Sequence, residues 1–202
     1  MGYRVYYGDY LLYDPVMTDY KLIKPKLSLE LTKVGSFTFT IPKTHPNFAF
    51  IEIMKPMIRV YLDGILKFKG RIYKMKEDFY GNVECKCEDC LGFLTDILIA
   101  PFSYHSTSVS QLIVDFLNEH NSKASASQQV EIGTIDGNDI TVTRWGETYK
   151  NTLESIKTHV ISHHGGYIIL TYDQYENPVI NYKITINAVN TQHAVYGQNL
   201  AN

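Results

Sequence analysis

The sequence predicts a β-rich α+β protein in which an antiparallel, barrel-like first domain is followed by a smaller α+β domain. Three observations carry this. Over about the first ninety residues, short apolar segments alternate with turns rich in glycine and proline, and no helical periodicity intervenes. After Asp89 the pattern changes to two amphipathic helical segments separated by strands. The composition holds 16 Tyr and 9 Phe against a single Trp, and such aromatics suit pleated, half-buried surfaces.

Taken in order, Tyr3 to Tyr7 and Tyr10 to Tyr13 flank Gly8-Asp9, a two-residue link whose leading glycine suits a type II′ hairpin. From Lys26, the residues Leu27, Leu29 and Leu31 alternate with Ser28, Glu30 and Thr32, the period of a strand with one buried face. Val34-Gly35-Ser36 interrupts that run before Phe37, Phe39 and Ile41 resume it, which predicts a sharply bent sheet. Pro42, Pro46 and Pro56 mark a long connection whose Phe48, Phe50, Ile51 and Ile53 are expected over one end of the sheet. Met57 to Leu62 and Ile65 to Lys76 flank Asp63-Gly64, a pair that supplies the positive φ angles of a type I′ turn. Gly81-Asn82 closes a further hairpin into Val83 to Cys90.

Ser108 is placed to N-cap a helix with Val109, Leu112, Ile113, Phe116 and Leu117 on one face. The polar Asn118 to Ser127 ends that helix, and Ser122 to Gln129, SKASASQQ, reads as a linker. Asp136-Gly137 predicts a hairpin between Val130 to Ile135 and Ile140 to Thr143. A second helix is expected over Thr148 to His163, with Leu153, Ile156, Val160 and Ile161 as its stripe and Gly165-Gly166 as its C-cap. Tyr167 to Tyr172 and Val179 to Ile186 form a last hairpin around Asp173 to Pro178. The predicted division is residues 1–98 as the barrel-like domain, 99–190 as the α+β domain, and 191–202 as the start of a return towards a further barrel. Asn187 to Asn202 is polar and lacks a closing element.

A chain of 202 residues buries roughly 70% of the surface its unfolded form exposes, so its stability implies no metal, disulfide or other cofactor. Its 19 basic and 21 acidic residues leave a formal charge of -2 without a block of like charge, so no nucleic-acid or other polyanionic partner is expected. No stretch approaches the ~18 apolar residues of a membrane span, and the N-terminus lacks both a basic region and an apolar core. Three cysteines crowded between Cys85 and Cys90 point to a reducing compartment.

In Leu31 to Pro42, LTKVGSFTFTIP, then Thr44-His45-Pro46, then Asp63-Gly64 and Phe68-Lys69-Gly70-Arg71-Ile72, the sequence resembles the N-terminal region of siphophage tail-associated lysins. These are the prophage endopeptidase tail proteins, similar in fold to the baseplate hub protein of contractile phages. Gly197-Gln198-Asn199-Leu200 is similar to that family's G-x-N-L segment, near the return from its middle domain to its second barrel. The resemblance implies a homotrimeric ring with two barrel-like domains per subunit, continuing the tail tube around a central channel. It also implies the distal tail protein, the tail tube and the tape measure protein as partners, a place at the virion tail tip, and assembly in the bacterial cytoplasm. The second barrel and any lytic domain would follow residue 202, so no catalytic residue is expected here. Gly35 and Gly70 are read as close backbone approaches, and Pro42 and Pro46 as the exit from an edge strand.

Residues of the right type for other chemistries are present. Cys85, Cys87 and Cys90 with His105 have the donor types of a Cys3His zinc site, but Cys85 and Cys87 share one strand face, where free cysteine behaves as a small buried hydrophobe. His159 and His163 lie one helical turn apart with His164 beside them, yet Val160 stands where a zinc-protease helix needs glutamate. Glu131, Asp136 and Asp139 offer carboxylates for glycoside cleavage, and a turn accounts for two of them. No catalytic, cofactor-binding or metal residue is assigned. Two other functions compete with a tail-hub scaffold: a peptidoglycan hydrolase component, and a carbohydrate (receptor) binding module using exposed tyrosines. A subunit interface is the preferred reading of those tyrosines.

Overall fold

Alternation and turn chemistry set the first sheet. In a computed structural model, which describes residues 2–55 and 57–186, β1 (Tyr3–Tyr7) and β2 (Tyr10–Tyr13) pair across Gly8-Asp9, with Gly8 at φ 55° as a II′ turn requires. β3 (Ile23–Ser28) leads to β4 (Ser36–Ile41), whose Phe37, Phe39 and Ile41 are all buried. β5 (Ile58–Leu62) and β6 (Ile65–Glu77) meet at Asp63 and Gly64, at φ 51° and 82°, the predicted I′ turn. β7 (Val83–Asp89) follows a loop in which the Asp78 carboxylate accepts the Tyr80 and Asn82 backbone N–H groups.

These seven strands form one antiparallel sheet in the order β2-β1-β5-β6-β7-β4-β3, curled into a half-barrel. The curl comes from stagger and bulges. The first half of β6 pairs β5 while its second half pairs β7, and the register slips in four of the ladders. Gly70 marks the changeover, where any Cβ would overlap the Glu88 carbonyl oxygen. A core of Tyr7, Phe37, Phe39, Ile58, Phe68, Ile72 and their neighbours fills the concave side.

Two expectations for this region are corrected, and a third is refined. The strand from Lys26 stops at Ser28. Leu29 and Leu31 are exposed, because Thr32 adopts φ 63° and hydrogen-bonds through N–H and hydroxyl to Ile168 in the second half of the chain. β4 is an interior strand, so Pro42 and Pro46 leave the sheet beside the true edge, β3. Of the apolar connection, Ile51 is buried, whereas Phe50 and Ile53 are half exposed; Phe50 stacks on Tyr10 at 4.4 Å.

Beyond a 3-10 turn at Cys90–Thr95, β8 (Leu98–Ile99) and β9 (Phe102–Ser108) precede α1 (Val109–Lys123). The Ser108 hydroxyl accepts the Gln111 N–H at 3.1 Å, and the predicted apolar face is buried. β10 (Glu131–Ile135), β11 (Thr141–Gly146) and β12 (Lys150–Asn151) follow, then α2 (Thr152–Ile156), a π-helical turn at Lys157–Ile161, and α3 (Ser162–His164). β13 (Tyr167–Tyr172) and β14 (Pro178–Lys183) close the described chain as the predicted hairpin.

The Asp136-Gly137 hairpin does not form. Gly137 turns the chain at φ 88°, but its carbonyl accepts the Ser110 and Ile140 N–H groups and Ile140 accepts that of Val109, so the turn is pinned to the start of α1. The two arms part: β10 pairs β14 in parallel and β11 pairs β9. Nor is Ser122 to Gln129 a free linker. α1 runs to Lys123, a 3-10 turn spans Ala126–Gln128, His120 bonds the Gln128 carbonyl, and Asn121 bonds both backbone groups of Val130. The second helix begins at Thr152, four residues later than predicted, because Lys150-Asn151 pairs β8 and the Asn151 side chain caps the Glu154 N–H at 2.8 Å. A second core joins Leu91, Leu94, α1, α2 and β13–β14. The return expected over residues 191–202, with Gly197 to Leu200, lies outside the described residues.

Candidate functional site

The reactive side chains are spent on structure. Cys85 and Cys87 point from β7 into the first core, and Cys90 is buried in the 3-10 turn with its thiol donating to the Lys69 carbonyl. Burial pushes the Cys85 and Cys90 thiols up to about 12, and that of Cys87 well above the usual range. His105 sits on the exposed β9 beside Ser103. His159 packs against the Phe102 ring and His164 faces the Arg144 guanidinium. Glu131 and Asp136 are tied separately to Asn177 and Lys183. Among the described residues, no three His, Cys, Asp or Glu side chains gather as a metal would need.

His45, in the Thr44-His45-Pro46 segment, is a buried structural group. Its Nδ1 accepts the Asn47 N–H, so Nε2 donates to the Leu12 carbonyl at 2.9 Å, joining the β4–β5 connection to the sheet edge at β2. Burial holds this imidazole below its ordinary pKa.

The densest polar arrangement lies where the two cores meet. Arg71 is 7% exposed and directs its fork at two carboxylates: Nε and Nη2 to Glu88 Oε1, and Nη1 and Nη2 to Asp96 at 2.6 and 2.9 Å. Its guanidinium also lies over the Phe93 ring. Asp89 accepts the Gly35 and Leu91 N–H groups, and burial raises its carboxyl to about 7 against those bonds. Across the sheet, the β13–β14 turn folds over β5 and β6. Glu176 takes the Tyr61 hydroxyl and Arg59, and its carbonyl takes Lys69 Nζ at 2.8 Å. Tyr172 accepts the Lys69 N–H at 2.9 Å and returns its own proton to the Lys69 carbonyl. Burial raises Glu176, but the bonds from Tyr61 and Arg59 outweigh it and hold the carboxyl below its ordinary range. The result is a molecule with two cores fixed in one orientation.

Sequence reasoning did not find Arg71, Asp96, Tyr172 or Glu176 as a group. The only signal was Gly70-Arg71-Ile72, read for its glycine; the partners lie up to 117 residues apart in the chain, as Arg59 and Glu176 are.

Two surface features remain. On the outer face of β1 and β5, Arg4, Tyr6, Arg59 and Tyr61 line an open groove of about 670 Å³, with Arg4 paired to Asp14 and Arg59 to Glu176. Between the facing edges of the half-barrel, Tyr3, Tyr13, Pro25, Leu27 and Phe37 line an apolar cleft of about 230 Å³. Large apolar side chains stand free elsewhere, above all Phe79 at 96% and Tyr80 at 80% exposure on the β6–β7 loop.

In sequence the chain matches no protein-family model and no curated protein. In structure it is similar to a tail protein from Neisseria meningitidis MC58 (TM-score 0.62, 13% identity, over 89% of this chain and 51% of that one). It is similar also to prophage tail protein gp18 from Listeria monocytogenes EGD-e (TM-score 0.56, 14% identity, 90% and 50%). A third is the 43 kDa tail protein of prophage MuSo2 from Shewanella oneidensis (TM-score 0.56, 16% identity, 89% and 53%). The chain spans about half the length of these solved proteins. A curled antiparallel half-barrel locked to a small α+β unit is thus the fold this chain shares with phage and prophage tail proteins.

Proposed function

We propose that the chain is a structural component of a phage or prophage tail tip or baseplate hub, assembling as a homotrimeric ring at the distal end of the tail tube. The observation that carries this reading is the shared fold over about nine-tenths of the chain. What the polar side chains do supports it: the buried thiols, Arg71, Asp89 and His45 all fix geometry, as a load-carrying part requires. The chain is divided at residues 1–98 and 99–190, and its partners are the distal tail protein, the tube and the tape measure protein. It performs no catalysis itself; lytic activity, where the whole protein has it, belongs to another region.

Light scattering over a range of concentrations tests the ring. A species of three times the chain mass that survives dilution is the expected result; where the 202 residues stay single, the same measurement on a full-length protein carrying the second barrel decides, and a single-chain mass there contradicts the ring. The same preparation is expected to leave peptidoglycan intact, and clearing of a cell-wall gel would replace the scaffold with a hydrolase.

A further inference from the structure

A third hollow, of about 330 Å³, is formed by the end of β11, the loop to β12 and the π-helical turn, and is lined by Trp145, Gly146, Glu147, Thr148, Lys150 and His159. The cations around it lack counterions. Arg4, Arg59 and Arg71 each meet a carboxylate, whereas Arg144 meets none among the described residues. Its Nε and Nη1 donate to the His159 and Thr143 carbonyls at 3.1 and 2.9 Å, and its Nη2 donates to His164 Nε2 at 3.1 Å. Lys150 forms no ion pair among the described residues either, and its Nζ donates to the Thr158 hydroxyl at 3.4 Å. Both cations are partly buried, where a charge without a partner is costly.

His159 registers this excess. Burial, then Lys150, Arg144 and His163, hold its imidazole below the ordinary pKa, and burial with Arg144 and His163 does the same to His164. Glu147 lines the cavity but pairs with neither cation among the described residues. Arg144 and Lys150 against Glu147, two cations to one carboxylate, leave a net charge of +1 while the histidines are neutral. A proton taken up by His159 makes it +2, the charge that balances a phosphate monoester dianion. Beside these groups stands Trp145, the chain's single Trp, 62% exposed and offering an indole face to a ring.

We propose that this cavity binds a phosphate monoester carried on a ring, the phosphate meeting Lys150 and His159 with Arg144 behind them, and the ring lying on Trp145. The site needs no neighbouring copy, so it goes beyond the ring reading and neither stands nor falls with it.

The single Trp makes its own fluorescence the test. The 202-residue chain is titrated at constant ionic strength with inorganic phosphate, sulfate, glucose 6-phosphate, AMP and glucose, and circular dichroism confirms that each variant is folded. Saturation by phosphate and sulfate, binding of a ring-bearing ester several-fold tighter than phosphate, and no response to glucose are the expected results. Glucose 6-phosphate above AMP makes the ring a sugar, and the reverse order makes it a nucleoside. Lys150→Gln weakens binding about tenfold, Lys150→Arg retains it, and Glu147→Gln strengthens it. Sulfate keeps its charge between about pH 7.5 and 5.5, so its binding strengthens as pH falls and His159 gains a proton, and His159→Asn flattens that slope. No saturable response to any of the anions, or a folded Lys150→Gln chain that binds as tightly as the original, overturns the site. Esters that bind no tighter than phosphate overturn the role of Trp145.

Discussion

Cysteine burial decides, at the scale of the residue, whether a thiol is free to act as a nucleophile. With thiols buried and pushed up to about 12 at Cys85 and Cys90, thiolate is scarce at neutral pH. A disulfide reagent at pH 8 is therefore expected to label none of the three in the native protein and all three after denaturation; rapid native labelling would contradict their placement. The strand alternation made Cys85 and Cys87 legible as core residues, whereas Cys90 was read as the end of that strand and instead opens a 3-10 turn. Asp89 offers a pH test. Its folded carboxyl lies at about 7 against an ordinary value near 4, so between those limits the folded state holds the extra proton. Its contribution is fully present below about pH 4 and declines as pH rises through 7. Asp89→Asn is expected to gain stability relative to the original protein between pH 4.5 and 7.5, read from urea midpoints; an unchanged gap would show that the carboxyl is not raised.

Close approaches and turns decide the elements. At Gly70 an added methyl would meet the Glu88 carbonyl, which is backbone and cannot swing aside, so Gly70→Ala is expected to cost about 2–3 kcal/mol in urea unfolding. An effect under ~0.5 kcal/mol would mean that β6 and β7 are not so tightly crossed. The latch on the sheet's outer face is tested by Tyr172→Phe, which leaves the Lys69 N–H without its acceptor. That costs about 1–3 kcal/mol and lowers Tm by several degrees. Local rules made the II′ and I′ hairpins, the Ser108 cap and the last hairpin readable, because each depends on two to four adjacent residues. They misread Asp136-Gly137 because the turn chemistry was right and the pairing was settled elsewhere, by α1 and the distant β14. The parallel ladder and the π-helical turn carry no local signature that distinguishes them from a hairpin and a plain helix.

At the level of the whole molecule, the change from strands to helices after Asp89 was visible in the sequence, but the way the two cores lock together was not. Arg71 with Asp96, Thr32 with Ile168, and Glu176 with Arg59 and Tyr61 join residues 25 to 136 positions apart, beyond the reach of periodicity. The same contacts fix one half of the described chain against the other. The outer surface carries exposed aromatics and a blunted sheet edge, the features on which the proposed assembly depends. The most direct test of that account is electron microscopy of particles from a strain encoding this chain, labelled with gold-conjugated antibody raised against it. Gold confined to the distal end of the tail is the predicted result; gold along the tube or on the head, or particles that never carry the label, would contradict it.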